Sequence, residues 1–164
     1  VADAHDIPVR DNTFDLIIIQ AVLEHVIDPR AVVDECQRVL NESGLIYAET
    51  PFMQQVHEGA YDFTRFTDSG HRLLFKNFAL LKSGTIGGVG TTLMWSISYF
   101  FGGLFRSALI RKIFRVLFFW LRFFDTLVLE KQNFDGASGV FFIGEKSEEI
   151  LSEKDIISYY NGAQ

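Results

Sequence analysis

Residues 14–20 (FDLIIIQ) form a short run of apolar and β-branched side chains behind the turn signal Asp11-Asn12-Thr13. This predicts a strand buried on both faces, as in parallel sheets. Asp28 then stands where a helix cap belongs and Pro29 where a first helical turn tolerates proline, with Ala31, Val32, Val33, Cys36, Val39 and Leu40 as the apolar stripe. Asn41-Glu42-Ser43-Gly44 should end that helix, with Gly44 in the left-handed conformation. A second strand is expected over 45–49 (LIYAE), stopping before Thr50-Pro51 because proline cannot donate to a ladder. Strand, helix and strand within about forty residues make a βαβ unit with a right-handed crossover.

Further along, Thr67-Asp68-Ser69-Gly70 opens a helix carrying Leu73, Leu74 and Phe75. Residues 78–82 (FALLK) and 139–145 (GVFFIGE) read as a third and fourth strand, and Ser152 and Asp155 have capping-box spacing at the start of a final short helix. Gly84 to Gly90 (GTIGGVG) superficially resembles a phosphate-binding loop but has no acidic partner at the required distance, and is read as a flexible hinge. The first two strands are expected to pair in parallel, with 139–145 antiparallel beside them.

Between the third and fourth strands the pattern changes. The chain holds 17 Phe, with the excess crowded between Phe100 and Phe124, and from Thr91 to Leu129 there is no acid until Asp125. Arg106, Arg111, Lys112, Arg115 and Arg122 lie in the same stretch. Arg111, Arg115 and Arg122 fall at i, i+4 and i+11 and so share one face of a continuous helix. Residues 104–129 are therefore expected to form a helix or helical pair suited to an anionic membrane surface, with aromatic side chains at the acyl boundary and guanidinium groups on headgroups. No uncharged apolar run reaches the length needed to span a bilayer. A helical cap on the core and a dimer surface are the competing expectations.

Composition narrows the function classes. With 164 residues and 48% hydrophobic side chains there is material for one core, and the formal net charge of −6 argues against a nucleic-acid partner. The single cysteine, Cys36, cannot form an internal disulfide and fits a reducing, cytoplasmic setting as a small packing residue rather than a nucleophile. No basic-then-apolar leader precedes the first polar residues, and a start at Val1 rather than Met reads as a truncation.

Three segments carry a resemblance. Asp3-Ala4-His5-Asp6-Ile7-Pro8 with Asp11-Asn12-Thr13-Phe14-Asp15-Leu16-Ile17, then Gln20-Ala21-Val22-Leu23-Glu24-His25-Val26-Ile27-Asp28-Pro29, then Arg38-Val39-Leu40-Asn41-Glu42-Ser43-Gly44-Leu45 resemble, in order and spacing, signatures of class I S-adenosylmethionine-dependent methyltransferases of the type 11 group. The resemblance runs from Val1 to about Phe78, and Gly139 to Lys146 is similar to the last strand of that fold. It implies an α/β chain: the C-terminal part of a Rossmann-like methyltransferase sheet, N-terminally truncated, with a final antiparallel strand and an inserted hydrophobic, basic helical segment. The division is residues 1–90, a helical insertion at 91–131, and the last strand and helix at 132–164.

The resemblance also implies roles. Asp3 and Ala4 would meet the adenine edge of S-adenosylmethionine, and Gln20 and Ala21 its methionine part, at the carboxyl end of a parallel strand where such sheets bind ligands. Glu24 and His25 would stand at the opening of the reaction pocket as catalytic candidates, with His25 alternatively holding the next helix. His57 to Thr67 resembles the "D-x-x-R-F-T" loop of methyltransferases that act in glycan and cell-surface biosynthesis. There His57, Tyr61 and Arg65 could contact a sugar or lipid-linked glycan, or Arg65 could pin the loop through Asp62. The family's glycine-rich turn and the ribose-binding acid have no counterpart, so weak cofactor binding is expected of this chain, and with it little or no activity. The rival expectation is a non-catalytic, membrane-associated binding module; either would be cytoplasmic, peripheral at the inner membrane face.

Overall fold

The computed structural model describes residues 2–164; Val1, where the resemblance begins, lies outside the described residues. Strand β1 (Phe14–Gln20) is followed by α1 (Pro29–Val39), whose N-terminus is closed by the Asp28 carboxylate accepting from the Ala31 N–H at 3.0 Å. Strand β2 (Leu40–Pro51) then pairs parallel with β1, so the βαβ unit forms as the apolar pattern requires. Helix α2 (Asp68–Leu74) is capped by Thr67, and β3 (Phe78–Ile86), α3 (Val89–Leu104), α4 (Ala108–Leu117), α5 (Glu130–Gly136), β4 (Gly139–Lys146) and α6 (Glu153–Ser158) complete the order. The sheet runs β1-β2-β4-β3, with β4 antiparallel to both neighbours. The expected parallel pair with an antiparallel strand beside it is therefore present.

One sheet face supplies Ile19, Ile46, Ala48 and Phe142 to a core completed by Val32, Val33 and Cys36 of α1 and by Leu74 and Phe75 at the end of α2. Phe75 stacks on Phe142 with ring centroids 4.8 Å apart. His71 is buried against Phe66, Phe75 and Phe142, and desolvation pushes its pKa down to about 3, so it packs as a neutral ring. Cys36 is buried and its thiol is pushed up to about 12, which makes it an inert packing residue as expected.

Five local readings are corrected. Strand β1 is not buried on both faces: it is an edge strand, so Leu16 and Ile18 on its unpacked side remain 54% and 63% exposed. Gly44 is not left-handed; residues 41–44 bulge out of the β1–β2 ladder between the pairs Phe14↔Leu40 and Leu16↔Leu45. Gly44 is needed there for space, because a Cβ would lie 2.8 Å from Leu40 Cδ2 and 2.9 Å from the Asn41 carbonyl oxygen. Strand β2 does not stop before Thr50-Pro51 but runs through Pro51, which ends the ladder opposite Gly139, where a missing N–H matters least.

The glycine-rich stretch 84–90 is not a flexible hinge. Gly84 belongs to β3, Gly87 turns the chain with φ +64°, and Gly90 lies buried in the first turn of α3, where a Cβ would come within 2.1 Å of the Leu121 carbonyl oxygen. The α3 N-terminus is capped from far along the chain. Asp125 accepts from the N–H groups of Gly90 and Thr91 at 2.8 and 3.1 Å, and Asn133 accepts from Val89 at 3.2 Å. The only acid between Thr91 and Leu129 thus sits on the positive end of a helix dipole.

Of the helix or helical pair expected over 104–129, separate helical stretches form, so the three arginines do not share one face. Helix α4 ends at Leu117, and Arg122 lies on a separate 3-10 stretch, Phe119–Thr126. Arg111 and Arg115 fold inward, over the rings of Tyr99 at 4.9 Å and Trp95 at 5.0 Å on α3. The opposite face of α4, with Leu109, Ile113, Val116 and Leu117, is exposed. Among the described residues, no helix is long and apolar enough to cross a membrane.

Candidate active site

The carboxyl ends of β1 and β2 lie side by side because the two strands are parallel neighbours, and the chain leaves each of them into a short irregular segment. After Gln20 the backbone passes through Ala21 at φ +52°, a left-handed conformation that an L residue adopts at a cost of about 1 kcal/mol. Its N–H is held by the Glu49 carbonyl at 3.3 Å. The Glu49 carboxylate accepts from Gln20 Nε2 at 2.8 Å and from the Tyr47 hydroxyl, whose pKa burial and this neighbour push up to about 12.

A single 3-10 turn, Leu23–His25, follows. Leu23 enters the core, and this anchors Glu24 in a buried position with neither carboxylate oxygen hydrogen-bonded. The Glu24 backbone carbonyl accepts from the N–H groups of Phe63 and Thr64, which stitches the loop after β2 onto this turn. His25 Nε2 stands 3.6 Å and His57 Nε2 3.8 Å from Glu24 Oε1. The two imidazoles meet edge to face with centroids 4.9 Å apart.

The loop is fixed from below by Arg65. Its five N–H groups go to Asp62, twice, and to the carbonyls of Gln54, Gln55 and Thr64. Arg65 and the His57 N–H hold the Asp62 carboxyl far below the usual carboxylate range. Between these segments lies an open cavity of about 150 Å³, lined among others by Ala21, Glu24, Glu49, Thr50, His57 and Ser138.

Of the residues singled out from the sequence, Ala21, Glu24, His25 and His57 converge here, and Gln20 joins through Glu49. Tyr61 is 71% exposed and contributes its carbonyl, which accepts from His25 Nδ1 at 2.8 Å. Arg65 has all its donors engaged within the chain, which favours the pinning role over direct contact with an acceptor. Asp3 and Ala4 do not line the cavity. Asp3 is exposed, its Oδ1 accepts from the His5 N–H at 2.9 Å and stands 2.7 Å from His5 Nδ1, and the backbone bond from His5 lowers its pKa. Ala4 packs against the core. Glu49 was missed: it reads from the sequence as the polar end of a strand, and its position one residue before Thr50-Pro51 at the carboxyl edge is the signal that could have found it.

Residues 1–48 match a family model described as a methyltransferase domain. No curated protein is significantly similar in sequence. Among solved structures, the chain is similar to the [4+2]-cyclase SpnF, with a TM-score of 0.54 at 13% identity over 89% of this chain and 54% of that one. It is also similar to S-adenosylmethionine-dependent methyltransferases from Methanosarcina mazei (TM-score 0.51, 14% identity, 90% of this chain and 66% of that one) and Archaeoglobus fulgidus (0.52, 13%, 88% and 66%). The chain thus spans between about half and two thirds of the length of these structures.

These likenesses identify a Rossmann-like methyltransferase fold: a mixed four-stranded sheet with flanking helices. They also correct the reading of the chain as the N-terminally truncated, C-terminal part of that fold. The structural match covers 88–90% of the chain in these three cases, so the fold organises the chain as a whole.

Proposed function

We propose that the protein is an S-adenosylmethionine-dependent methyltransferase whose acceptor is a hydroxyl group of a sugar or lipid-linked glycan. The fold by itself cannot carry this, since one structure with the same fold is named a cyclase. The observation that carries it is the buried, unpartnered Glu24 carboxylate between two histidines, at the carboxyl edge of parallel strands and beside a strained Ala21.

The residues present support the adenine and methionine edges of a cofactor site. The recorded bonds of Asp3 both fall on Oδ1, which leaves Oδ2 to accept from an exocyclic amine. The left-handed Ala21 turns the backbone after β1 along the cavity wall, and Gln20 is held at that edge by Glu49. Bound S-adenosylmethionine supplies a methyl group on a sulfonium, the C–S bonding pair remaining on sulfur after transfer. Asp3, Ala4, Gln20 and Ala21 would hold it, and the chain's remaining task is to present a nucleophilic oxygen in line. Glu24 can take the proton of an acceptor hydroxyl as that oxygen bonds to the methyl carbon, since neither of its carboxylate oxygens is engaged by a hydrogen bond from the chain. His57 and Tyr61, on the loop over the cavity, would contact the acceptor, and Arg65 keeps that loop in place through Asp62.

The outward apolar face of α4, with arginines turned inward and Lys112 among the exposed side chains, supports a second element of this reading: the helical segment 104–129 rests on an anionic membrane surface that holds the acceptor. On this reading the protein works at the cytoplasmic face of the membrane.

The test is a ¹H–¹⁵N spectrum of the protein titrated with S-adenosylhomocysteine, which detects weak as well as tight binding. Saturable shifts of the Ala4, Gln20, Ala21 and Glu49 amides are expected. Unchanged amides at those positions at the highest ligand concentration would overturn the proposal.

A further inference from the structure

We infer that Glu24, His25 and His57 form a binding site for a divalent transition-metal ion of the zinc and cobalt class. The three residues come from two segments, the 3-10 turn after β1 and the loop after β2, yet one donor atom from each lies within 4.8 Å of the others. A carboxylate and two imidazoles are a donor set suited to such ions, and three protein ligands leave a further coordination position open.

Three observations separate this cluster from an ordinary hydrogen-bonded group. Glu24 is 1% exposed, and both carboxylate oxygens lack a hydrogen-bond partner, so a buried carboxylate stands with its acceptor capacity unused by the chain. The neighbouring imidazole nitrogens do not fill the gap: 3.6 and 3.8 Å are too long for N–H···O bonds to Glu24. Both rings are also turned the way metal-bound histidines are turned. His25 Nδ1 donates to the Tyr61 carbonyl at 2.8 Å, which puts its proton on that nitrogen and leaves the Nε2 lone pair facing Glu24. His57 Nδ1 stands 3.5 Å from the buried Asp62 carboxylate, and its Nε2 likewise faces Glu24.

Asp62 is itself held by Arg65 and by the His57 N–H, so one ligand has an outer shell of carboxylate and guanidinium and the other a backbone carbonyl. Metal–ligand bonds of about 2.0–2.1 Å in tetrahedral array place donor atoms about 3.3 Å apart. The two spacings from Glu24 Oε1 therefore need to close by only a few tenths of an ångström, and the donor atoms of the two imidazoles, within 4.8 Å of each other, by up to about 1.5 Å. Because Glu24 and His57 line the cavity, water or an acceptor hydroxyl could reach an ion held there from that side. That last use rests on the methyl-transfer reading; the metal site does not.

The experiment is a titration of the chelator-stripped protein with Co²⁺, followed by visible d–d absorption and without any cofactor, and then displacement by Zn²⁺. A saturable band of four- or five-coordinate intensity is expected, with binding weakened at least about tenfold in Glu24→Gln and in His57→Ala and unchanged in the neighbouring exposed-site variant Glu58→Gln. Zn²⁺ should also raise the thermal midpoint of the wild type and not that of His57→Ala, which separates loss of the site from loss of the fold. A spectrum no stronger than that of aqueous Co²⁺, or binding indifferent to both substitutions, would overturn the inference. Cobalt binding without S-adenosylhomocysteine binding would leave the metal site standing and remove the methyl-transfer reading; the converse result would do the reverse.

Discussion

The sheet end of the molecule and its helical arm handle charge in opposite ways. At the sheet end, charged and polar groups are drawn inward and mostly matched: Arg65 spends every donor on the loop, Asp62 is buried under it, and beside the cavity the Glu24 carboxylate and the Thr50 hydroxyl are left without partners. In the arm, apolar groups are turned outward, so that Val116 is 76% and Phe123 65% exposed, while arginines lie on the rings of the neighbouring helix. The first arrangement is what a rigid reacting site needs, because an unpaired buried charge is tolerated only where surrounding structure fixes it. The second is unfavourable in water and is relieved by an apolar surface.

The contrast can be broken most sharply at Arg65. Arg65→Met leaves the Asp62 carboxylate buried without its guanidinium and should lower stability by about 3 kcal/mol, read as a fall in the urea midpoint. The double variant with Asp62→Asn should recover part of that loss, because no charge is then stranded. A smaller effect is expected in the arm. Asp125→Ala removes the cap of α3 and should cost about 1–2 kcal/mol, measured as faster amide exchange at Gly90 and Thr91 while the amides of β1 and β2 stay protected. If exchange accelerates equally in both regions, the arm and the sheet are one cooperative unit and the comparison fails.

Acid acts on the sheet end through His71. Its folded pKa, about 3, lies below the ordinary value of 6.5, so as pH falls from about 6.5 toward 3 the unfolded chain takes up a proton that the folded one does not. Stability should therefore drop with falling pH in that window, by at most about 1.4 kcal/mol per pH unit, and His71→Phe should flatten the slope of the urea midpoint against pH. Asp62, whose folded pKa is depressed, adds a further loss only below about pH 4. The smallest effect belongs to the outward face of α4. Lys112→Glu should weaken co-sedimentation with anionic liposomes by about 1 kcal/mol, and added salt should weaken the wild type in the same direction. Indifference of the wild type to such liposomes at low salt would remove the membrane element of the proposal.

Much of the sheet end was legible in the sequence because its signals are local. Asp28-Pro29 marks a helix start, Thr67 and Ser152 mark two more, and short contiguous apolar runs mark β2 and β4. What escaped depends on contacts distant in sequence. That β1 is an edge strand follows from the sheet order, not from FDLIIIQ, and the need for glycine at position 90 comes from the Leu121 carbonyl thirty-one residues on. The convergence of His57 on Glu24 was suggested only by the resemblance of two separate segments. Glu49 was overlooked because nothing local distinguishes a strand-end acid that binds Gln20 and Tyr47 from one in solvent.

The ladder pair Ile86↔Gly139 has an architectural consequence. The Ser138 N–H donates to the Gly87 carbonyl and the Ser138 hydroxyl to the Ile86 carbonyl at 2.6 Å, so the arm leaves and rejoins the sheet at adjacent points. Topologically β3 and β4 are a hairpin whose turn has grown into three helices. An excursion whose ends already touch can be lengthened, shortened or exchanged without moving either strand, since closing a longer loop adds little entropy. The arm is thus the part of the chain free to diverge in size and address, while the carboxyl edge of the sheet, woven from strands whose paired residues lie twenty-nine apart, has no such latitude.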